Sequence, residues 1–432
     1  MSPQNRTAVP AGLPPLDPDS AAHQHIVEAY LVQKLEESPY GFMPFEQWMD
    51  LALYAPGLGY YAAGNTKFGG DLPVGDFTTA PELTPLFGQI LARQAAQILQ
   101  ASASVRVLEF GAGSGALAAA VIPALKQLGI EPDYQILEVS ADLRARQQAR
   151  LGGCGLDVTW LDRLPTGFSG CVLANEVLDA MPAALFRWGE NSVLYEIGVS
   201  LGHEEQDDEE ISLRHRRAGG VEASLGHARL DEAGHGRSRG TPFVLTERQA
   251  APGLQKIMAE RMPPLPEYQS EINLRAEAWV GEMGRWLERG AALLIDYGFP
   301  RREYYHPQRA AGTLMCHFRH HAHSQPLIYP GLQDITTHVD FTAMADAALA
   351  GGLDVLGYTS QARFLMNAGL AELLTGAGQD GTSERVHADT MARVQTLLSE
   401  AEMGELFKVL AVGRNIDGPL LGFARGDRRD RL

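Results

Sequence analysis

The chain has 432 residues, of which 45% are hydrophobic and 21% are charged, so a globular protein with a sizeable core is expected. Its net charge of −17 leaves no overall basic footprint for displacing counterions, and we therefore expect no nucleic-acid partner. No apolar run is long enough to cross a bilayer, so no membrane insertion is predicted, and the three scattered cysteines form neither a disulfide framework nor a zinc site.

Residues 1–22 are rich in proline and polar side chains and are predicted to form a mobile tail. This stretch lacks the charged and apolar regions of a signal peptide, and Asp17 and Asp19 argue against a mitochondrial presequence, so a cytoplasmic protein is expected. Helical spacing follows at 23–38, and Pro44 opens a second predicted helix.

Beyond residue 104, apolar β-branched runs alternate with amphipathic ones. This alternation predicts a doubly wound, Rossmann-like α/β core with a parallel sheet and helices on both faces. A helix is predicted through 271–289. The strands are predicted at 105–110, 133–139, 157–161, 170–175, 291–296 and 407–412.

The predicted organisation has three parts after the tail. Residues 23–104 form a mainly helical and loop segment that closes over a cofactor. The core occupies 105–200 and 241–300, with an acidic and then Gly-, His- and Arg-rich surface insertion at 202–240. Residues 301–432 form a C-terminal α/β segment on the substrate side and supply the remaining core strands.

The stretch EFGAGSG lies between the first core strand and its helix. Gly111, Gly113 and Gly115 permit a tight turn and a close backbone approach to a ligand. The same stretch satisfies the dinucleotide fingerprint G-x-G-x-x-A, which leaves a nicotinamide-dependent oxidoreductase as an alternative. Glu109, just before the loop, would repel a pyrophosphate but suits the amino group of an amino-acid-bearing cofactor.

Two further acids follow neighbouring strands. Glu138 ends the second strand, where a carboxylate can accept hydrogen bonds from both ribose hydroxyls. With the glycine loop and its preceding acid, this pattern resembles the S-adenosyl-L-methionine site of class I methyltransferases. Asp162, after the third strand, stands where such enzymes often contact adenine, although a solvated turn acid is the alternative.

Five motifs occur in a fixed order along the chain. Together they resemble the MidA-like methyltransferase family, whose mitochondrial members assist assembly of respiratory complex I. The resemblance implies a class I methyltransferase fold, S-adenosyl-L-methionine as cofactor, and a protein arginine as acceptor, with a complex I subunit as a candidate partner. The motifs are GDFTTAPELTPLFGQ (75–89), VLEFGAGSG (107–115), ANEVLDAMP (174–182), IDYG (295–298) and DITTHVDFTAMA (334–345).

The motif NEVLDAMP supplies the candidate catalytic residues Asn175, Glu176 and Asp179 at the end of the fourth core strand. Carboxylates orient the planar guanidinium fork and offset its charge. If a helical turn follows the strand, the spacing places Glu176 and Asp179 on one face. Helix capping by Asn175 or Glu176 is the alternative.

The stretch GDFTTAPE has the chemistry of a polar loop that closes over a cofactor. Gly75 and Asp76 are predicted to face the cofactor, while Thr78 or Thr79 caps the following helix. Farther along, Tyr297 is a candidate to stack on the substrate or donate a hydrogen bond to it, with a core tyrosine as the alternative.

His338 is a candidate substrate residue. It and Asp340 either line the substrate cleft or bond to each other. The four histidines in CHFRHHAH (316–323) lack supporting ligand spacing, so no metal is expected. Besides an enzyme, a second hypothesis is a cofactor-binding assembly factor with little turnover. The sequence does not give the oligomeric state.

Overall fold

The computed structural model describes residues 9–63, 79–202, 241–377 and 384–432. Its α-helices are α1 (Pro18–Glu37), α2 (Phe45–Tyr54), α3 (Ala80–Leu83), α4 (Pro85–Ser102), α5 (Ala116–Gln127), α6 (Ala141–Gly153), α7 (Pro252–Arg261), α8 (Leu274–Trp286), α9 (Arg301–Tyr304), α10 (Phe341–Ala350), α11 (Gln361–Asn367), α12 (Leu370–Ala377) and α13 (Glu384–Leu398). Its strands are β1 (Met43–Pro44), β2 (Arg106–Phe110), β3 (Asp133–Leu137), β4 (Thr159–Leu161), β5 (Phe168–Asn175), β6 (Ala184–Trp188), β7 (Leu194–Leu201), β8 (Phe243–Gln249), β9 (Tyr268–Ile272), β10 (Leu287–Phe299), β11 (Met315–Phe318), β12 (His321–His323), β13 (Asp334–Thr336), β14 (Val339–Asp340), β15 (Asp354–Ser360) and β16 (Phe407–Arg414).

The central sheet has the strand order β15-β16-β10-β5-β2-β3-β4, with β14 beside the end of β10. Strands β4, β3, β2, β5 and β10 run parallel, and β16 pairs antiparallel with both β10 and β15. The predicted doubly wound α/β core is therefore confirmed, with one antiparallel strand near its edge.

Helices cover both faces of this sheet. Along β10, Leu293 and Ile295 pack into the hydrophobic cluster on the side of α4 and α5, while Ala292 and Leu294 pack into the cluster on the side of α8 and α10. Successive side chains of a strand point to opposite faces, so an uninterrupted apolar run such as AALLI is what a strand buried on both sides requires.

The order of the strands reverses next to β2. The chain moves outward from β2 through β3 to β4, and then returns to β5 on the other side of β2. In sheets of this kind a crevice opens outside the carboxyl ends of the strands at the point of reversal. The glycine loop after β2 and the NEVLDAMP motif after β5 therefore border the same crevice.

A second, antiparallel sheet has the order β1-β7-β6-β9, with β8 pairing β7. Strands β6 to β9 lie in sequence between β5 and β10, whereas β1 comes from the N-terminal segment. The predicted core bounds of 105–200 and 241–300 thus include strands β6 to β9, which belong to this second sheet. The burial patterns of β6 and β7 mix buried and partly accessible positions without strict alternation, and β6 to β9 were not predicted as strands from the sequence. The insertion predicted at 202–240 lies, from residue 203, outside the described residues.

The helix predicted at 271–289 is shorter than expected. Helix α8 spans Leu274–Trp286, because the Asn273 side chain accepts a 2.9 Å hydrogen bond from the Ala276 amide and so fixes the first turn. Glu271 instead belongs to β9, and residues 287–289 begin β10.

The prediction of a mobile tail over residues 1–22 is wrong for residues 9–22. Helix α1 begins at Pro18 and is capped by Asp17, whose carboxylate accepts a 2.9 Å hydrogen bond from the Ser20 amide. Three apolar side chains before it pack against a hydrophobic cluster near β11; they are Val9, Leu13 and Leu16. Residues 1–8 lie outside the described residues. Within the described ranges, none of the helices combines the length and apolarity that a bilayer crossing requires.

Candidate active site

The glycine loop turns sharply between β2 and α5. Gly111, Gly113 and Gly115 have φ angles of 59°, 53° and 81°, which side chains with a Cβ rarely adopt. A Cβ built on Gly113 would meet no atom within 4 Å, whereas one on Gly111 would lie 3.1 Å from Val177. The loop therefore presents open backbone at Gly113 and touches the NEVLDAMP motif at Gly111.

Glu138 directly follows β3, and both of its oxygens are held. One accepts a 3.0 Å hydrogen bond from the Ser140 amide and the other a 2.9 Å bond from Nε2 of Gln147. Burial is the main cause that raises the pKa of this carboxyl, and these hydrogen bonds oppose it. The carboxylate is thus oriented at the crevice before any ligand binds.

Gln147 is a site residue that the sequence analysis missed. It is completely buried on α6, and its Nε2 also donates to the Gly113 carbonyl at 2.9 Å, while Nε1 of Trp160 donates to its Oε1 at 3.0 Å. This side chain therefore ties Glu138 to the glycine loop. Leu151, four residues later, is also buried, and that spacing marks the inner face of α6.

Glu109 lies within β2 rather than at its end, and it is almost fully buried. Its carboxylate accepts a 2.7 Å hydrogen bond from the Tyr134 hydroxyl on the neighbouring strand. Burial raises the pKa of Glu109 to about 7, against the opposing effect of that hydrogen bond. Glu109 precedes Gly111 by two residues, and its contact with a cofactor amino group stays a prediction.

Asp162 follows β4, as predicted, but its side chain is 82% exposed and forms an ion pair with Arg144 of α6. The position agrees with the carboxyl edge of the sheet. The exposure agrees with the alternative of a solvated turn acid, and a contact with adenine stays a prediction.

Asn175, Glu176 and Asp179 lie together at the end of β5, although no helical turn follows that strand. The condition of a helical turn is not met, because Glu176 adopts a left-handed φ of 52° and its amide donates to the Ile295 carbonyl of β10 at 2.9 Å. Nδ2 of Asn175 donates to Oε1 of Glu176 at 3.0 Å. Neither residue therefore caps a helix that follows the strand.

Asp296 of β10 fixes the shape of this segment. It is completely buried, and its Oδ2 accepts hydrogen bonds from the Leu178 and Asp179 amides at 3.0 and 3.2 Å. Its Oδ1 accepts a 2.9 Å bond from the Tyr297 amide. A buried carboxylate thus replaces the intrahelical partners that these amides would have in a helix.

The carboxylates of the segment have raised pKa values. Burial, together with the charges of Asp179 and Asp334, raises the pKa of Glu176 to about 8. Burial also raises the pKa of Asp179 to about 6, although the Tyr297 hydroxyl donates a hydrogen bond to its Oδ2. Burial and the charges of Asp179 and Glu176 raise the pKa of Asp296 well above its ordinary value.

Among the described residues, several polar atoms around this segment are buried without a hydrogen-bond partner. They include Oδ1 of Asp179, Oδ1 of Asn175 and Oγ1 of Thr337. Within the described residues no lysine, arginine or histidine forms an ion pair with Glu176 or Asp179. Buried carboxylates are normally paired with cations or hydrogen-bonded donors, so the arrangement suits a cationic ligand.

Two tyrosines of the N-terminal segment contact residues beside the carboxylates. The Tyr54 hydroxyl donates to the Ala180 carbonyl at 2.9 Å, and the Tyr61 hydroxyl donates to Asp334 at 2.9 Å. The Tyr54 and Tyr61 rings stack with their centroids 5.4 Å apart. The N-terminal segment therefore reaches the site through residues 54–61, which the sequence indicated only as a general closing segment.

Tyr297 and His338 are neighbours, with ring centroids 5.1 Å apart. Tyr297 is buried and bonded to Asp179, so it acts on the candidate catalytic carboxylate. Burial and the nearby charges of Arg309 and Lys408 lower the pKa of His338 to about 4, which leaves a neutral imidazole at physiological pH.

The alternative in which His338 bonds to Asp340 is wrong. The Asp340 carboxylate caps α10 through the Ala343 amide at 3.1 Å and pairs with Arg301. Nδ1 of His338 is buried and has no hydrogen-bond partner among the residues that the structure describes. In the part of the chain that is described, no three His, Cys, Asp or Glu side chains are grouped so that they could hold a metal ion.

The stretch GDFTTAPE is only partly described. Gly75 and Asp76, predicted to face the cofactor, lie outside the described residues, as does Thr78. Thr79 precedes α3 without capping it through its side chain. Glu82 of α3 reaches the glycine loop, where its Oε1 accepts a hydrogen bond from the Ser114 hydroxyl.

Residues 90–359 match the model of a family described as "Putative S-adenosyl-L-methionine-dependent methyltransferase". A Burkholderia thailandensis protein crystallised with S-adenosyl-homocysteine bound is 44% identical, with a TM-score of 0.83, over 98% of this chain and 100% of that one.

Two relatives from animals are more distant. The Danio rerio protein named "Protein arginine methyltransferase NDUFAF7, mitochondrial" is 26% identical over 402 residues, which cover 85% of this chain and 82% of the relative. The Drosophila melanogaster homolog of the same name is 26% identical over 415 residues, which cover 86% and 82%. The similarity therefore extends across most of the length of each protein.

Proposed function

The chain belongs to this family of S-adenosyl-L-methionine-dependent methyltransferases, and on that premise we propose that its acceptor is a protein side chain, the ω-nitrogen of arginine. It is an enzyme whose cofactor is S-adenosyl-L-methionine. This removes the nicotinamide alternative, which rested on the glycine loop alone.

The residues at the glycine loop fit this cofactor. The backbone is open at Gly113, and Glu138 holds two oriented acceptor oxygens at the end of β3, where ribose hydroxyls can donate to them. We propose that these residues, with Gly111, hold the adenosyl part. When bound, the cofactor supplies an electrophilic methyl group on a sulfonium.

The buried, unpartnered Oδ1 of Asp179 beside the Glu176 carboxylate is the observation that carries the arginine proposal. A guanidinium has a planar set of N–H donors that matches two carboxylates, and its charge would offset theirs. The site contains no described cation of its own to do so. Lysine would offer a point charge without that planar match.

Methyl transfer is mainly a matter of position, and the residues of this chain supply it. Glu176 and Asp179 would orient the guanidinium, with Asp179 held by Asp296 and Tyr297. The new N–CH₃ bond forms as the sulfonium bond breaks, and one N–H proton leaves the guanidinium nitrogen. Burial favours the protonated form of Glu176, but the charge of a bound guanidinium would favour the carboxylate form, and in that form Glu176 would accept the proton.

The animal relatives, which are 26% identical to this chain, are named as protein arginine methyltransferases, and this supports a protein arginine as acceptor. The resemblance of the motifs makes a respiratory complex I subunit a candidate acceptor protein. The cytoplasmic location expected from the sequence stays a prediction, and those relatives are named mitochondrial.

Two substitutions test the proposed acceptor site. Glu176→Gln and Asp179→Asn should each lower transfer of tritiated methyl groups to protein at least 100-fold, since they remove charge-assisted bonds made to the acceptor. Binding of S-adenosyl-homocysteine, followed by calorimetry, should change less than about threefold. Unchanged transfer in both variants would remove these carboxylates from the reaction. Transfer absent already in the wild type, with intact cofactor binding, would favour the assembly-factor alternative.

A further inference from the structure

We infer that Tyr54 is a positioning residue for the acceptor carboxylate Asp179, and that a hydrogen bond between Tyr61 and Asp334 holds Tyr54 in place. The sequence motifs assign no task to these three tyrosine and aspartate contacts. The inference deepens the proposed function and rests on it, because it takes Asp179 as a carboxylate that contacts the acceptor.

The polar groups of Asp179 are held by several different parts of the chain. Its amide donates to Asp296 of β10, and its Oδ2 accepts a hydrogen bond from the Tyr297 hydroxyl. Its carbonyl accepts a 3.0 Å hydrogen bond from the Thr337 amide, just after β13. Its Oδ1 is buried and finds no partner among the described residues. These contacts fix the carboxylate and leave one of its oxygens for a ligand.

The peptide groups around Asp179 are held as well. The carbonyls of Leu178 and Met181 accept hydrogen bonds from Nδ2 of Asn273 at 3.3 and 2.8 Å. The Ala180 carbonyl, between them, accepts a 2.9 Å bond from the hydroxyl of Tyr54, the last residue of α2. Without that hydroxyl the Ala180 carbonyl would be free to turn, one residue away from the acceptor carboxylate.

Tyr54 is itself held by its neighbour in the N-terminal segment. Its ring stacks on that of Tyr61, with centroids 5.4 Å apart and planes 21° apart. The Tyr61 hydroxyl donates to the carboxylate of Asp334, which begins β13, at 2.9 Å to Oδ1 and 3.0 Å to Oδ2. The two tyrosines therefore join the segment after β5 to β13.

Position matters at this carboxylate because methyl transfer requires the acceptor nitrogen to lie in line with the sulfonium methyl group. If the main chain at Ala180 turned, Asp179 could still pair with a cation, but it would hold that cation at a changed angle. The loss should then appear in kcat rather than in KM. Tyr54 need not touch the acceptor to have this effect.

One variant and a matched control separate positioning from stability. Tyr54→Phe should lower kcat for tritiated methyl transfer to protein extract about 10- to 100-fold, with the apparent KM for the extract within about threefold of the wild type. The Kd for S-adenosyl-homocysteine should not change. Thr359→Val removes a completely buried hydroxyl that donates to the Gly426 carbonyl at 2.8 Å, and it should lower stability in urea without lowering kcat.

The order of the contacts predicts how further variants combine. Tyr61→Phe should lower kcat less than Tyr54→Phe does, and it should add little to that variant. Asp334→Asn, which can still accept a hydrogen bond from Tyr61, should retain more of the wild-type kcat than Asp334→Leu. Tyr54→Phe should add little to Asp179→Asn, because it acts through that carboxylate.

Wild-type kcat in Tyr54→Phe would overturn the inference, as would full additivity of Tyr54→Phe with Asp179→Asn. Label on an amino acid other than arginine would refute the proposed acceptor but not this role, because the comparison of kcat values does not depend on the side chain that is methylated. If the wild type transfers no label, the proposed function fails, and urea unfolding decides the inference. Additive losses of stability in Tyr54→Phe and Asp179→Asn would then overturn it, and non-additive losses would support it.

Discussion

Replacing the buried Gln147 by leucine, which is similar in volume, should weaken the cofactor site more than it weakens the fold. The substitution removes the hydrogen bonds to Glu138, to the Gly113 carbonyl and from Trp160, each 2.9 or 3.0 Å long. A neutral bond contributes about 1 kcal/mol and one to a charged group about 1.5–3 kcal/mol. Glu138 and Trp160 are partly accessible and can recover water, so we expect a loss of roughly 2–4 kcal/mol in the free energy of unfolding.

The effect on the cofactor follows from the charged partner. Without Gln147, one oxygen of Glu138 is free to turn away from the crevice, and the loss of about 1.5–3 kcal/mol of orientation corresponds to an affinity lower by roughly 10- to 100-fold. Urea denaturation gives the stability, and calorimetry with S-adenosyl-homocysteine gives the Kd.

Gln94 offers a matched control. It is also completely buried, donates to Gln97 at 2.9 Å and accepts from the Gly422 amide at 2.8 Å, away from the crevice. Gln94→Leu should therefore lower stability by a similar amount and leave the Kd within about threefold of the wild type. An unchanged Kd in Gln147→Leu, or equal Kd losses in both variants, would refute the proposed role of Gln147.

Three more predictions concern the acids of the site. Tyr297→Phe removes a hydrogen-bond donor to Asp179, so the pKa of the Asp179 carboxyl should rise further above about 6. The ascending limb of the pH–rate profile should then shift to higher pH, and an unshifted limb would count against this contact. The folded-state pKa of Glu176, about 8, lies above its ordinary value, so its contribution to stability is present at low pH and is lost as pH rises through 8. Between pH 5 and 9 the wild type should therefore lose about 2–4 kcal/mol more unfolding free energy than Glu176→Gln, and parallel pH curves in urea would contradict the burial argument. The exposed Asp162 should contribute less than about 0.5 kcal/mol to stability. If Asp162 contacts adenine, Asp162→Ala should raise the Kd for S-adenosyl-homocysteine about 3- to 10-fold. An unchanged Kd would show that Asp162 is a solvated turn residue.

The central sheet was predictable because its strands are buried on both faces. Runs such as those of β5 and β10 need no partner to be recognised, and their alternation with amphipathic helices determines a parallel sheet. The second sheet was not predictable in the same way. Its strands are short or mix buried and accessible positions irregularly, and their pairing joins β1 to β7, about 150 residues apart, by contacts that no local pattern encodes.

The site shows the same division. The positions of Glu138 and Glu176 follow from their places at the ends of strands, which the sequence shows. The shape of the segment after β5 does not follow from the sequence. It depends on Asp296, which accepts hydrogen bonds from the Leu178 and Asp179 amides although it lies more than 100 residues away in the chain. The helical turn on which the spacing argument was conditional is not formed for that reason. Gln147 was missed because a single glutamine on a charged helix gives no sign that it points inward.

The identity of the methylated residue is the most direct test of the proposed acceptor. The purified enzyme would be incubated with tritiated S-adenosyl-L-methionine and protein extract, and the labelled protein hydrolysed and its amino acids separated. We predict that the label elutes with ω-N-methylated arginine and is absent when Asp179→Asn replaces the wild type. Label on lysine, on another amino acid or on small molecules alone would contradict the assignment of arginine.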